Sequence, residues 1–144
     1  MEKRALRIYL NNNKKDYLKV NCFEYENGYL ITDTCSIIKL NQTNDLQVEK
    51  DIFGLTRFFE DFIMNYEKIE DLKLNFDLKT QDILIPEEEK RYSINIKLAK
   101  RIKRIINYNN VELLRKYNCG YNYVIKLENK KTKEIAFLLP MRSF

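Results

Sequence analysis

The stretch that decides how this chain reads is YSINIKLAKRIKRIINYNNVELLR, Tyr92 to Arg115. Tyr92 to Ile96 reads as a strand, rich in aromatic and β-branched residues. From Lys97 to Tyr108 the apolar period changes to that of a helix. On a wheel of about 100° per residue, Leu98, Ala99, Ile102, Ile105 and Ile106 share one arc of roughly 120°. Lys97, Lys100, Arg101, Lys103 and Arg104 fill the opposite arc of roughly 160°. Val111 to Arg115 returns to a β-rich run. Tyr121 to Leu127 and Glu134 to Leu139 follow as strands, joined by the basic loop Glu128-Asn129-Lys130-Lys131-Thr132-Lys133. The order is strand, helix, then three strands (βαβββ). Pro140 cannot donate to a ladder, so the last strand should end there or turn to an edge.

Upstream, Leu55 to Tyr66 predicts an amphipathic helix, with Leu55, Phe58, Phe59, Phe62, Ile63 and Tyr66 on its apolar face. Its polar face holds Arg57, Glu60, Asp61 and Asn65 and is mixed to acidic. Leu72 to Leu78 alternates at period two and predicts a strand exposed on one face. Asp82 to Pro86 is a shorter strand partner, and Glu87-Glu88-Glu89 a solvated loop. The first third reads as a β-meander. Ala5 to Leu10 is a strand candidate and Asn11 to Asp16 a turn. Cys22 to Glu26 and Tyr29 to Thr32 flank Asn27-Gly28, a type I′ hairpin signal, and Cys35 to Leu40 is a further strand. Val48 to Pro86 opens as strand, helix, strands, so it reads as a degenerate structural repeat of the last unit. These elements predict an α+β protein with one domain over 1–144. Residues 1–50 form the meander, 51–90 a strand, helix and strands, and 91–144 the βαβββ unit. Two amphipathic helices pack on antiparallel sheets.

A length of 144 residues bounds the chain to about one domain. It contains no histidine and no tryptophan. That excludes Ser-His-Asp and Cys-His nucleophile activation and every His-containing zinc site. The three glycines, Gly28, Gly54 and Gly120, lie too far apart for a Gly-rich phosphate loop. Cys22, Cys35 and Cys119 are odd in number and lack C-x-x-C spacing, so they read as reduced thiols. No apolar run approaches the roughly 20 residues of a membrane span. MEKRALRIYL has no h-region, so the expected location is cytoplasmic. Glu60 with Asp61, and Glu87 to Glu89, are carboxylate pairs without further ligands, and Asp33 reads as a turn-capping residue. The expectation is a non-enzyme without metal or cofactor.

The formal net charge of +5 is a small remainder of opposed blocks. Residues 51–90 carry −6 and residues 91–144 carry +10. Five cations without an anion on one helix face repel by about 0.2–0.5 kcal/mol per pair at i,i+3 and i,i+4. Two readings stand: an ordinary exposed basic helix, or a phosphate-backbone contact that offsets the repulsion and releases counterions. No helix-turn-helix spacing, RNP-type aromatic pair or zinc finger accompanies it, so such a contact would be sequence-independent.

The segment Asn95 to Arg142 resembles the last βαβββ unit of the bacterial sliding clamp, the β subunit of DNA polymerase III. Asn95-Ile96-Lys97-Leu98-Ala99-Lys100-Arg101-Ile102 resembles the clamp's inner helix, and Asn110-Val111-Glu112-Leu113-Leu114 the strand after it. Leu138-Leu139-Pro140-Met141-Arg142 is similar to the family's C-terminal Met-Pro-Met-Arg. Asn27-Gly28-Tyr29-Leu30-Ile31-Thr32-Asp33 looks like a clamp hairpin, although Thr34-Cys35-Ser36 replaces the family's Gly-His-Arg. The resemblance implies a clamp-like domain whose helices line a channel. It implies that Lys97, Lys100, Arg101 and Arg104 face duplex DNA, and Lys103, from the same basic arc, completes the expected DNA-binding set. It also implies that Leu138, Leu139, Pro140 and Met141 border a pocket for a polymerase or other nucleic-acid enzyme, and the adjoining Arg142 is counted with them as partner-binding. Bacterial clamps carry three such domains per chain, so a ring here would need about six copies.

The leading expectation is therefore a clamp-like DNA replication accessory or regulatory protein, of phage or mobile-element type, able to form a homo-oligomer. The alternative is a small phage-derived inhibitor of a host nucleic-acid enzyme, such as an anti-defence protein. Its opposed charge blocks would match a protein surface.

Overall fold

The computed structural model describes residues 21–32, 35–41, 54–85, 90–116 and 123–142. The expected strand Ala5 to Leu10, the turn Asn11 to Asp16, the strand opening at Val48, Asp33, Glu87 to Glu89 and Cys119 lie outside the described residues.

The chain order is β1 (Asn21–Tyr25), β2 (Gly28–Thr32), β3 (Ser36–Leu40), α1 (Leu55–Asn65), β4 (Tyr66–Asp71) and β5 (Thr80–Ile85). Then come β6 (Lys90–Asn95), α2 (Ile96–Ile106), β7 (Asn110–Lys116), β8 (Tyr123–Glu128), β9 (Ile135–Leu138) and β10 (Met141–Arg142). Seven strands form one sheet in the order β1-β2-β3-β9-β8-β7-β4, and three form a second in the order β10-β6-β5. All neighbouring strands are antiparallel. The fold is α+β, and the βαβββ order of the last third is present as β6-α2-β7-β8-β9.

Side chains alternate across a strand, so each strand of the large sheet feeds two cores. Leu30, Ile37, Leu114, Val124 and Phe137 form one cluster with Phe59 of α1. Their chain neighbours Ile31, Ile38, Leu113, Ile125, Ala136 and Leu138 join α2 and the inner face of the small sheet in the other. The molecule thus has three layers: α1, the seven-stranded sheet, then α2 beside the three-stranded sheet. The two helices lie on opposite faces of the large sheet.

Several local expectations move. The β1–β2 hairpin is present, but Tyr25 pairs with Gly28, so the two loop residues are Glu26 and Asn27. Both have positive φ, 43° and 63°, as a type I′ turn requires. Gly28 belongs to the strand, and its reason is space: a Cβ there would collide with the backbone carbonyl of Leu40. The strand expected at Leu72 to Leu78 is not a ladder strand. Leu72, Leu74 and Phe76 do pack inward on the core. However, their segment is held by the Gln81 side chain, which accepts from Asn75 N at 2.7 Å and donates to Lys73 O at 2.8 Å. The strand is instead the preceding YEKIED, β4, paired with β7 from Tyr66–Lys116 to Asp71–Glu112. It is an edge strand, charged on both faces and irregular between Lys68 and Glu70, features that disfavour pairing with another chain.

Helix α1 keeps only the centre of its apolar face against the sheet. Phe59 is fully buried, while Phe58 is 54% exposed and Ile63 49%. These two sit about 140° apart on the wheel, each at a flank. A single helix on a sheet covers the middle of that arc and leaves its flanks to solvent. At the other end of the chain, β9 stops at Leu138, as Pro140 requires, and Leu139 N donates to Cys35 O at 2.9 Å. The chain then crosses to the small sheet, where Met141 pairs with Ser93 and Arg142 with Tyr92. Among the described residues, no helix is long and apolar enough to cross a membrane.

Candidate nucleic-acid interface

Helix α2 starts where Asn95 caps it, its Oδ1 accepting from Leu98 N at 3.0 Å. Ile96, Leu98, Ala99, Ile102, Ile105 and Ile106 are buried, the apolar arc read from the sequence with Ile96 added. Burying the larger side chains stabilises the fold by roughly 1.5–3 kcal/mol each. That outweighs the repulsion among the helix cations, at about 0.2–0.5 kcal/mol per pair. The helix therefore forms despite its charge pattern, and packing fixes which face points outward.

On the outward face Lys97, Lys100 and Arg104 are exposed, and Arg101 is half-buried at the flank. The helix contains no acidic residue. Among the described residues, Lys97, Lys100 and Arg104 have no ion-pair partner. Lys103 departs from the expected phosphate-facing set. Its Nζ donates to Tyr108 O and sits 4.8 Å from the centre of the Tyr108 ring. It is spent on closing the C-terminus of α2, where Asn107 takes the left-handed conformation and donates to Lys103 O at 2.9 Å. Tyr108 is buried, its hydroxyl donating to Ala99 O at 2.8 Å, and burial pushes that phenol well above its ordinary value.

The β8–β9 turn adjoins this helix end through Asn129, a residue that the sequence reading passed over within a basic loop. Asn129 is buried, and its Nδ2 donates to Ile106 O at 2.9 Å and Asn107 O at 3.2 Å. Its Oδ1 accepts from Lys131 N at 3.0 Å and Thr132 N at 3.1 Å. An Asn followed by a turn is a weak signal alone, because its partners on α2 lie more than twenty residues away. A groove of about 560 Å³ runs between the helix end and the turn, lined by Lys103, Arg104, Asn107, Asn129, Thr132 and Glu134 among others.

The expected partner-binding set is divided. Leu138 is fully buried in the core and cannot border a surface pocket. Leu139 and Met141 are 44% and 47% exposed, and Pro140 is half-buried. For Arg142 the backbone pairing with Tyr92 is what is described. The register places Met141 on the same face of the small sheet as Ser93 and Asp82.

The Glu60–Asp61 pair does not converge on a common point. Asp61 accepts from Lys116 Nζ at 2.8 Å and from Asn65, which holds its carboxyl below the ordinary value. Glu60 accepts from the Tyr25 hydroxyl at 3.4 Å. Burial, with Glu26 and Glu60 nearby, pushes the Tyr25 phenol up to about 12. Among the described residues, no group of three or more Cys, Asp or Glu is placed to hold a metal ion.

No protein-family model, curated protein or solved structure matches this chain. The sliding-clamp resemblance therefore rests on the residues quoted for it. One implication of that resemblance can be set beside the layers. It places both helices along one channel, whereas α1 and α2 stand on opposite faces of the large sheet.

Proposed function

We propose that this chain is a non-enzymatic, clamp-like accessory or regulatory protein of DNA replication that contacts duplex DNA without reading sequence. The observation that carries this reading is the outward face of α2, with Lys97, Lys100 and Arg104 exposed and no anion on the helix. Such a face meets phosphates, which neutralise its internal repulsion and give up counterions. Because α1 lies behind the sheet, the contact is one-sided: a single copy lays one helix on the duplex. Among the described side chains of the C-terminal segment, Leu139 and Met141 are exposed and available to a polymerase or other nucleic-acid enzyme. Filter binding of a random-sequence duplex across a salt series tests the DNA half. Lys100→Glu with Arg104→Glu should lower affinity at least tenfold. Undetectable binding at low salt, or an unchanged double variant, refutes it.

The second reading, a small phage-derived inhibitor of a host nucleic-acid enzyme, draws on α1. Phe58, Ile63 and Met64 are exposed there, Met64 at 80%, on the side away from the cations. Under this reading a nuclease-treated host lysate yields one stoichiometric partner, and Phe58→Asp with Met64→Asp abolishes its capture. DNA affinity that survives nuclease-grade purification, and is lost on reversing Lys100 and Arg104, favours the first reading instead.

A further inference from the structure

We infer that the β8–β9 turn is a second arm of the polyanion contact, with Lys130, Lys131 and Lys133 gripping the phosphate backbone of the same duplex that lies on α2. This rests on the DNA-contact reading above and assigns it three further residues.

Lysines in an exposed turn are commonly nothing more than solvated. Three observations set these apart. First, the turn is built rigidly. Asn129 ties it to the α2 terminus, Lys133 N donates to Asn129 O at 2.8 Å, and Asn129 N donates to Glu134 O at 2.9 Å. On its other side Asn41 Nδ2 donates to Thr132 O at 2.7 Å, anchoring the turn to the end of β3. Lys130 N meets Asn109 Oδ1 at 3.2 Å, fixing the turn to the residues just after α2. The backbone carrying the three cations is ordered before any ligand arrives, which removes part of the entropic cost of binding.

Second, neither carboxylate next to the turn is exposed on it, although Glu134 lines the floor of the groove toward α2. Glu134 is buried, and its Oε2 accepts from Asn41 N at 3.2 Å. Glu128 shares its sheet face with Lys126, 3.8 Å away, on the α1 side of the sheet. Lys130, Lys131 and Lys133 are exposed, and the turn that carries them meets Arg104 across the groove through Asn129 and Thr132.

Third, the chemistry on offer suits a backbone and not bases. Among the described residues Phe58 is the one exposed aromatic, and it lies on the opposite side of the sheet. Among the described residues no exposed aromatic stands beside the cations for a single strand to stack on. A duplex presents one phosphate charge per about 1.7 Å of axis. An eleven-residue helix is about 16 Å long, so about ten phosphate charges, counted over both strands, fall within its length.

The test compares four proteins on a 24-base-pair random duplex and on the matching single strand, each over 50–200 mM salt. They are the unaltered chain, Lys100→Gln with Arg104→Gln, Lys130→Gln with Lys131→Gln and Lys133→Asn, and the combination. Asparagine is chosen at 133 because that residue has φ 67°, a conformation asparagine tolerates. Urea midpoints confirm that each variant is folded. With about seven contacts, log affinity against log salt has a slope near −6. The turn variant should reduce that slope by about 2.7, the helix variant by about 1.8, and the combination by about their total. The single strand should bind at least tenfold more weakly. A turn variant with unchanged slope and affinity, beside a weakened helix variant, overturns the turn assignment and leaves the helix reading standing. A single strand bound as tightly as the duplex overturns the choice of duplex. No duplex binding by the unaltered chain removes both.

Discussion

Replacing Asn129 with alanine tests the idea that one side chain holds the basic turn on α2. Asparagine makes four bonds there: Nδ2 to Ile106 O and Asn107 O, and Oδ1 from Lys131 N and Thr132 N. The four are unequal. Lys131 and Thr132 are exposed, so water replaces Oδ1 at little cost. The bond to Ile106 O is buried, and alanine leaves that carbonyl without its donor. A buried unsatisfied group costs about 1–3 kcal/mol, and the remaining bonds net about 0.5–1.5 kcal/mol each in favourable cases. The expected loss is about 2–4 kcal/mol. In urea, with a slope near 2 kcal/mol/M, the unfolding midpoint falls by about 1–2 M. Asn129→Asp separates the two sides of the network. Aspartate keeps both acceptors but places a carboxylate against two carbonyls at the negative end of the helix dipole, so it should destabilise at least as much as alanine. If Asn129→Ala changes stability by less than about 0.5 kcal/mol, the turn is not held this way and its rigidity loses its basis.

Three further outcomes follow from the core and the turns. Gly28→Ala should destabilise by more than about 2 kcal/mol, because Leu40 O occupies the space of the new Cβ; Gly54→Ala, with open space but φ 67°, should cost about 1–2 kcal/mol, and equal midpoints would refute the distinction. Phe59→Ala should cost about 3–5 kcal/mol, since its ring is fully buried against Tyr25 and Phe137, whereas Phe58→Ser should stay within about 0.5 kcal/mol; thermal or urea unfolding of both checks the placing of α1. Asp61→Asn removes a carboxylate whose pKa is lowered chiefly by the Lys116 hydrogen bond, then by Asn65. That contribution is fully present above the ordinary value of 3.8 and lost as pH falls through the lower folded value. The variant should therefore be weaker by about 0.5–1 kcal/mol at neutral pH, as expected for a largely solvated pair, and should converge with the unaltered protein in acid; a gap that widens on acidification refutes the sign.

Helix α2 was legible residue by residue because its two arcs leave one way to pack: every residue read as apolar is buried, and Ile96 joins them. The βαβββ order and the end of β9 before Pro140 were legible for equally local reasons. Strand β4 was not. Its residues after Tyr66 are all exposed, so no period marks it, and it exists because β7 offers a ladder edge. Leu72, Leu74 and Phe76 show the converse: a correct inward period without a strand, since after the one bond from Leu72 N to Val111 O of β7 the Gln81 side chain takes over, at Lys73 O and Asn75 N. Gly28 was read for its torsional freedom when the controlling fact was Leu40 O, a contact from another strand. At the candidate site the cations were legible and their uses were not. Lys103 is drawn to Tyr108, Leu138 to the core, and Asn129 to a helix end distant in sequence.

The placing of the two helices bears most directly on how such a chain could hold DNA. Both have an apolar face, and sequence alone does not say that those faces address opposite sides of one sheet. That follows from the strand alternation, in which Phe137 meets Phe59 while Ala136 and Leu138 face the α2 side. Packed layers stand about 10 Å apart, so the axes of α1 and α2 are separated by about 20 Å with the sheet between them. A straight duplex cannot lie along the outer face of both. If this chain surrounds DNA, other copies must close the path, each presenting α2. In every copy α1 would then face away from the duplex, with Phe58, Ile63 and Met64 outward. A single copy instead gives a two-sided molecule, with cations on one face and an apolar helix flank on the other. Molar mass from light scattering, with and without duplex, separates the two. A DNA-dependent closed oligomer supports encirclement, and a one-to-one complex supports the two-sided adaptor.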